Sequence, residues 1–331
     1  MNYLFLGAGA VLSVLVIADI IKTVFSTRGA GSLSSATIWL VWTPFFAAAK
    51  KRGGSKLLEY AGPSMLVSNL GVWIIGLWLG FFLLLMADTG SVVSSSTESP
   101  TTPLEKLYYA GFTVATLGVG DYKASADVWR LLTDIAAFAG LAFITTAITY
   151  FVQVLSAVTV QNKLSFYVNS MGPTPQDILI NSWTGETFDP FYSHVANLNE
   201  MLIEHITNHH SFPVIHYFHA SDPEMAVIPA IVRLDETCHL LLGAETSGSH
   251  ERQLALHMLR ETLDQYVKMV ESGFMSTMRP SSSAPTPDLA PLARQGITLN
   301  LAKAMKSGSR RREIMTALLE RDGWSWKNVY R

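Results

Sequence analysis

The chain has 331 residues, of which 49% are hydrophobic and only 15% charged, and its formal net charge is −2. This composition is too apolar for an ordinary soluble protein and indicates a membrane protein, and no basic block with interleaved aromatics points to a nucleic-acid partner. The single cysteine, Cys238, excludes an internal disulfide and a cysteine-only metal site. The long apolar runs lie in residues 1–160, and the remainder has the composition of a soluble domain.

Residues 3–25 form the first apolar run, whose length suits one bilayer crossing of about 20 residues. The run has no basic start and no small-residue cleavage site, so we interpret it as a span rather than a signal peptide. Asp19 and Lys22 lie near its end. They are either interfacial residues that pair one turn apart, or polar contacts to a neighbouring helix that fix its packing.

Residues 36–49 are apolar but too short for a comfortable span, and Pro44 would disrupt a helix interior. We therefore predict an interfacial or partly buried helix. The positive-inside rule then places the basic cluster that follows it in the cytoplasm, and Arg28 agrees. The cluster consists of Lys50, Lys51, Arg52 and Lys56.

Residues 63–87 are predicted to form a second span that runs outward from the basic side. The stretch from Gly90 to Pro103 is rich in Ser, Thr and Pro, which is typical of an exposed loop. Residues 104–115 predict a helix that rises only about 18 Å and therefore cannot span. We expect a re-entrant helix, whose negative C-terminal end would face a cation.

The loop after this helix runs from Thr113 to Asp121. Gly118 and Gly120 allow backbone angles that other residues avoid, so consecutive carbonyls are able to point towards one axis. Thr116 adds a hydroxyl oxygen below them. A ring of such oxygens replaces the water shell of a potassium ion.

A third span begins at residue 127 and continues past residue 160. Gly140 lies near its centre and is either a close helix–helix contact through a small residue or a bending point. In order, the chain thus has an outer span, a re-entrant helix, a glycine-bearing loop and an inner span with a central glycine.

Together with the stretch Thr116-Leu117-Gly118-Val119-Gly120-Asp121, this order resembles the two-helix pore module of the potassium-channel family over roughly residues 63–160. The resemblance implies a homotetramer, because one chain supplies only one of the four loops that close the ring. It implies potassium ions and no organic cofactor, with a hinge at Gly140. The implied ion sites are Thr116, Leu117, Gly118, Val119 and Gly120, supported by Thr113 and Asp121.

The resemblance also bears on the inner cavity and on the selectivity of the loop. Leu141, Ile144, Ile148 and Val152 share a helical face with Gly140 and would line the inner cavity. Val119 stands where the family usually has an aromatic residue that braces the filter. A softer filter would discriminate less strictly between potassium and sodium.

Beyond residue 163 the sequence predicts a mostly helical cytoplasmic domain. We expect helices over 175–182, 188–208, 223–243 and 250–271, a flexible Pro/Ser/Ala linker over 279–296 and an amphipathic tail to 331. The tail's basic run, Arg310 to Arg312, either lies on the inner leaflet or packs on a neighbouring subunit. The predicted segments of this all-α membrane protein are 1–60, 61–165, 166–278 and 279–331.

All nine histidines lie between residues 194 and 257. His205 and His209 share one helical face, a spacing that suits zinc binding or pH sensing but also ordinary packing. The chain lacks a dinucleotide-binding glycine fingerprint and a voltage-sensing helix, so no regulatory ligand is readable.

The sequence therefore predicts a multi-pass cell-membrane protein whose N-terminus lies outside. It predicts a tetrameric cation channel, most consistent with potassium selectivity, in contact with membrane lipids and not an enzyme. The alternatives are a non-selective cation channel and a membrane-anchored metal-binding or enzymatic protein.

Overall fold

The computed structural model describes residues 1–26, 29–52, 55–244, 249–274, 280–300 and 309–330. Arg28 and the side chains of Lys50, Lys51 and Arg52 lie outside the described residues, so the orientation inferred from them stays a prediction. The chain divides into two compact units. The membrane unit comprises Met1–Thr43, Pro63–Leu155 and Ser211–Val214, and the C-terminal unit comprises Pro44–Gly62, Ser156–His210 and Ile215–Arg331.

The fold is almost entirely helical, which confirms the predicted all-α membrane class. Within the described residues, four helical stretches are long and apolar enough to cross a membrane: Tyr3–Phe25, Ser32–Ala49, Lys56–Met86 and Asp127–Met171. The first part of the chain forms α1 (Tyr3–Phe25), α2 (Ser32–Arg52), α3 (Ala61–Met86), β1 (Val92–Ser94), α4 (Pro103–Val114), β2 (Tyr122–Ala124) and α5 (Asp127–Met171).

The strands β1 and β2 were not predicted. They pair antiparallel, with Val92 opposite Ala124 and Ser94 opposite Tyr122. Each has only three residues, too few for a readable alternation of polar and apolar side chains. This pairing ties the loop before α4 to the loop after it.

Helices α1 and α3 pack antiparallel through small residues. The amide of Asn2 donates to the carbonyl of Ala87 at 2.6 Å, which places the start of α1 beside the end of α3. A Cβ added at Gly80 would lie 2.4 Å from Ser13 Oγ, and one added at Gly76 would lie 2.6 Å from a methyl group of Val16. Such close approach gives the van der Waals packing that holds helices together in a membrane.

Asp19 fixes the start of α2. Its carboxylate is buried and accepts hydrogen bonds from the amides of Leu33 at 2.8 Å and Ser34 at 3.1 Å, and from Trp73 Nε1 at 2.9 Å. Lys22 is exposed. Of the two interpretations of Asp19, the structure therefore supports the polar contact that fixes helix packing, since α1, α2 and α3 meet at this carboxylate.

The predicted interfacial or partly buried helix over residues 36–49 is longer than expected, and its position relative to the membrane stays a prediction. Helix α2 begins four residues earlier, where Asp19 caps it, and it continues through Pro44. A proline removes one backbone hydrogen bond and is tolerated in membrane helices. The segment Ser32–Ala49 is therefore long and apolar enough to cross a membrane.

The C-terminal unit surrounds one buried helix. Its helices are α6 (Pro175–Asn181), α7 (Asp189–Ser211), α8 (Val227–Gly243), α9 (His250–Phe274), α10 (Ala290–Arg294) and α11 (Ser309–Arg321). Almost every residue of α8 is buried, including three charged ones, Arg233, Asp235 and Glu236. A helix buried all round forms the centre of its domain. The helices predicted for this region are found with boundaries shifted by up to four residues.

The linker and tail predictions need correction. Leu292 and Ile297, within or next to the predicted flexible linker, belong to the same hydrophobic core as α8. In the tail, Arg312 forms a buried, two-pronged ion pair with Glu236, with N–O distances of 2.8 and 3.1 Å, and lies over the ring of Trp326. The tail therefore packs on its own chain. It removes apolar groups of α8 from water and pairs the buried carboxylate of Glu236 with a cation. The four-segment division of the sequence stays a prediction.

Candidate ion-conducting site

Helix α4 is fixed at its start by a capping box. Thr102 Oγ1 accepts from the amide of Glu105 at 3.4 Å, and Glu105 Oε2 accepts from the amide of Thr102 at 2.7 Å. Pro103 occupies the first turn, where its missing amide hydrogen costs nothing. These bonds satisfy two of the free amides at the helix start. The local sequence therefore defines where α4 begins.

Lys106 clamps α4 to the end of α3. Its side chain is buried, and its ammonium group donates to the carbonyl of Leu85 at 3.1 Å, to Ser91 Oγ at 3.0 Å and to the carbonyl of Asp88. The carbonyls at a helix end carry partial negative charge, so a cation is favourable there. This clamp sets the position of α4 against the outer helix.

The loop after α4 alternates the sign of its backbone φ angle. Thr116, Gly118 and Gly120 have φ values of +59°, +56° and +86°, whereas Leu117 and Val119 between them are not in the positive region. Glycine adopts positive φ freely, but a β-branched threonine does so at a cost. All five residues are exposed in the single chain.

Thr113 and Asp121 lie at the two ends of this loop. Thr113 is buried at the last turn of α4, and its carbonyl accepts from the amide of Thr116 at 2.9 Å. Asp121 is exposed and precedes β2. In that strand the hydroxyl of Tyr122 donates to Glu105 Oε1 at 3.0 Å. The far end of the loop is therefore bonded back to the start of α4.

A cavity of about 440 Å³ lies behind the loop. It separates the loop from the outer half of α5. Its lining includes Thr113, Thr116, Gly118, Gly120, Tyr122, Tyr109, Thr133 and Asp134.

Gly140 lies directly against the end of α4. A Cβ added there would be 1.9 Å from the carbonyl oxygen of Val114, much closer than any real contact. The close-contact interpretation of this glycine is therefore what the structure supports. Helix α5 is continuous through Gly140, and a hinge there stays a prediction.

The predicted cavity-lining residues share one exposed apolar face of α5. The four residues are between 43% and 60% exposed. They are Leu141, Ile144, Ile148 and Val152. The opposite face of α5 is buried, with Phe143 and Ala147 packed on Trp73 of α3. The face that carries the predicted residues is thus free within a single chain.

Sequence comparison agrees with this geometry. Residues 70–157, from within α3 to within α5, match the family model for ion channels. These residues, called the ion-channel domain, are similar to that family. The resemblance to a channel pore module that the loop and its flanking spans suggested is therefore confirmed, while the ion that passes is not thereby fixed.

The chain is also similar over nearly its whole length to a curated bacterial protein. It is 27% identical over 335 positions to the uncharacterized membrane protein YdjJ of Bacillus subtilis (strain 168), which covers 98% of this chain and 96% of the relative. No solved structure matches the chain at comparable significance. The similarity thus extends beyond the ion-channel domain into the C-terminal unit.

His205 and His209 lie outside the ion-channel domain, buried in the C-terminal unit. His209 Nε2 is 3.3 Å from His216 Nδ1, and burial lowers the pKa of both His205 and His216 to about 4. In the part of the chain that the structure describes, no group of three or more metal-ligating side chains is arranged to hold a metal ion. Burial thus favours the neutral form of His205 and His216 at neutral pH, and zinc binding or pH sensing by His205 and His209 stays a prediction.

Lys106 and Tyr122 are the residues of the ion-channel domain that sequence reasoning missed. Lys106 carried a readable signal, because it is the one cation in an otherwise apolar helix too short to span. Tyr122 carried none, since its bond to Glu105 depends on the pairing of β1 with β2.

Proposed function

We propose that the protein is a tetrameric, potassium-selective cation channel that conducts passively through residues 116–120. The observation that carries this proposal is the alternating φ of the loop, with Thr116 held in a left-handed conformation. Such strain costs roughly 1–3 kcal/mol and persists at sites where function requires it. The ion-channel match over residues 70–157 supports the same reading.

Alternating φ supplies the coordination chemistry. In a backbone of alternating hand, successive N–H groups turn to one side, as they do in anion-binding nests. The carbonyl oxygens of Thr116, Leu117, Gly118 and Val119 then face the other side. Four such rows around one axis would replace the hydration shell of a potassium ion.

A homotetramer would bury the loop residues that are exposed in a single chain. Leu117 is 71% exposed and Val119 49% exposed in the single chain, and α5 also carries an exposed apolar face. Non-helical backbone at membrane depth is tolerated only where protein or a water-filled cavity surrounds it. Three further copies would close the ring, with α5 and the C-terminal unit acting as the gate and Gly140 as its bending point.

The proposed location is the cell membrane, with the N-terminus outside and the C-terminal unit in the cytoplasm. It rests on the positive-inside rule applied to the cluster from Lys50 to Lys56. Labelling from outside cells distinguishes the two orientations, because a cysteine placed at Ser96 would react and Cys238 is buried. Lack of reaction at that position would reverse the assignment. Neither an enzymatic activity nor an organic cofactor is part of the proposal.

The central test is ion flux from liposomes that contain the purified protein. Gly118→Ala places a Cβ on a backbone at φ +56°, at a cost of roughly 1–2 kcal/mol per subunit, and should abolish potassium flux. Gly71→Ala is the matched control, since a Cβ there meets nothing within 4 Å and the backbone is helical. Equal flux from both variants would refute the assignment of the loop.

Val119 motivates the second candidate, a non-selective cation channel. Valine cannot donate the hydrogen bond that an aromatic hydroxyl or indole gives at this position. A reversal potential that follows the potassium gradient supports selectivity, and one that ignores it supports the alternative. Absence of any flux would favour a membrane-anchored protein of another kind.

A further inference from the structure

A second candidate site is an open cavity of about 610 Å³ within the C-terminal unit. One wall is the end of α5, with Phe166 and Asn169, and another is the tail, with Lys327. Glu224 lies at the exposed rim, and Arg233 of α8 lines the interior. The cavity is thus enclosed by three parts of the chain that are distant in sequence.

Arg233 is 3% exposed, and its guanidinium is only partly satisfied. Nη1 donates to Asn169 Oδ1, and Nη2 donates to the carbonyl of Asn328 at 3.0 Å. Its Nε has no acceptor among the described residues, and no described carboxylate forms an ion pair with it. Burial lowers the pKa of Arg233 to about 10 against the opposing effect of Asp177, and the group stays charged at neutral pH.

Two other arginines of this unit that are largely buried each form an ion pair with a carboxylate of α8. Arg311 lies 2.6 Å from Asp235, and Arg312 lies 2.8 Å from Glu236. Removing a charge from water is unfavourable unless a counter-charge and full hydrogen bonding offset it. Arg233 is the exception among these three. No described carboxylate lies within ion-pair distance of it, Asp177 acts on it only at longer range, and it lines an open cavity.

We propose that this cavity binds a small soluble oxyanion, a phosphate or carboxylate group, with Arg233 as its buried partner and Lys327 at the rim. Guanidinium groups favour oxyanions because their planar donors match two acceptor oxygens. The exposed carboxylates of Asp222 and Glu224 at the rim disfavour bulky polyanions. A single oxyanion group that reaches the interior avoids them.

This site touches α5 directly, because Asn169 both lines the cavity and accepts from Arg233. Asn169 lies two residues before the end of α5 at Met171. If the proposed channel function holds, occupancy would bias the last turn of the helix that lines the pore. Binding itself does not depend on conduction and is tested separately.

The test measures the melting temperature of the full-length protein in lipid-free detergent as inorganic phosphate replaces chloride at constant ionic strength. Phosphate should raise the melting temperature, since a ligand that binds only the folded state stabilises it. Arg233→Met should lose this increment, because the buried cation that would pair with the anion is removed. An undiminished increment in this variant would overturn the proposal.

A second pair of variants keeps the test valid if Arg233→Met does not fold. Lys327→Ala should weaken the apparent phosphate affinity by about tenfold, the usual effect of one lost charge-assisted contact. Lys268→Ala removes an exposed lysine on α9 and should change nothing. Equal affinities in these two variants contradict the proposal.

Lipid discs distinguish a soluble ligand from a lipid headgroup. In discs of phosphatidylcholine, added phosphate should stabilise the protein as it does in detergent. Discs that contain phosphatidic acid should leave that increment intact. Loss of the increment in those discs would identify the headgroup as the occupant and overturn the assignment to a soluble ligand.

Discussion

At the scale of single residues, the loop is held by a bond that differs from the usual aromatic brace. Val119 has no hydrogen-bonding group, whereas Tyr122, three residues later, donates to Glu105 at 3.0 Å. Glu105 is itself the capping residue of α4. The outer end of the loop is therefore tied to the start of the same helix whose other end begins the loop.

We expect Tyr122→Phe to lower the preference for potassium over sodium several-fold while leaving flux intact. The substitution removes one charge-assisted hydrogen bond and keeps the ring. Reversal potentials under mixed potassium and sodium gradients measure the change. Tyr108→Phe is the control, since the Tyr108 ring packs on Tyr122 but no described acceptor takes its hydroxyl. Equal selectivity in both variants would show that the Tyr122 bond does not brace the loop.

The positive φ angles at Gly118 and Gly120 were predictable because glycine spacing is a local feature of the sequence. The positive φ of Thr116 was not predictable, since a β-branched residue rarely adopts it. That residues 116–120 form the ion sites stays a proposal. The role of Gly140 was only half predictable. A central glycine is compatible with a hinge or a contact, and only the position of the Val114 carbonyl shows that a side chain does not fit.

At the scale of helices, Asp19 joins three elements of the membrane unit through one carboxylate. We expect Asp19→Ala to destabilise the unit by about 2–4 kcal/mol, because the donors of Leu33, Ser34 and Trp73 lose their acceptor in a buried setting. Denaturant unfolding in mixed micelles, followed by tryptophan fluorescence, measures the change.

Two variants calibrate that loss. Trp73→Phe removes one of the donors and should cost less than Asp19→Ala, about 1–2 kcal/mol. Asp134→Ala removes an exposed carboxylate from α5 and should cost less than about 0.5 kcal/mol. If Asp19→Ala is as mild as Asp134→Ala, the carboxylate does not organise these helices.

Apolar periodicity located the long helices well, since length and composition suffice for α1, α3 and α5. It failed where tertiary contacts decide. Helix α2 begins early because Asp19 caps it, and the two three-residue strands exist only because they pair. The linker composition of residues 280–296 suggested flexibility, but Leu292 finds a place in the core of the C-terminal unit.

At the scale of the C-terminal unit, the tail completes the surroundings of α8. Arg312→Ala would leave Glu236 buried without its partner, and we expect a loss of about 3–5 kcal/mol in the free energy of unfolding. Arg310→Ala is the control two residues away. Its pair with Glu271 is exposed and screened by solvent, so it contributes little to stability. Thermal unfolding of the full chain compares the two, and similar melting temperatures would show that the tail is only loosely attached.

The buried histidines make the stability of this unit depend on pH. The pKa values of His205 and His216 are about 4 in the folded protein, below the ordinary 6.5, because burial disfavours the charged form. The unfolded chain therefore binds more protons between these values. The contribution of these histidines to the free energy of unfolding is fully present above pH 6.5. It decreases as the pH drops and is lost below about pH 4.

The charges that face His216 modulate this fall. Asp322 raises its pKa, while Arg321 and His219 lower it. His205 packs against the rings of Tyr266 and His209, and its Nδ1 has no hydrogen-bond partner among the described residues. His216 lowers its pKa in addition to burial. Replacing His205 by leucine removes this titrating group and keeps an apolar side chain in the core.

We expect the melting temperature of His205→Leu to fall less steeply than that of the wild type as the pH drops from 6.5 towards 4. One proton fewer is taken up on unfolding, so the slope of stability against pH decreases by up to about 1.4 kcal/mol per pH unit. His257→Ala, which removes an exposed histidine from α9, should keep the wild-type slope. Parallel curves for all three proteins would mean that His205 is protonated equally in the folded and unfolded chains, and that burial does not set its charge.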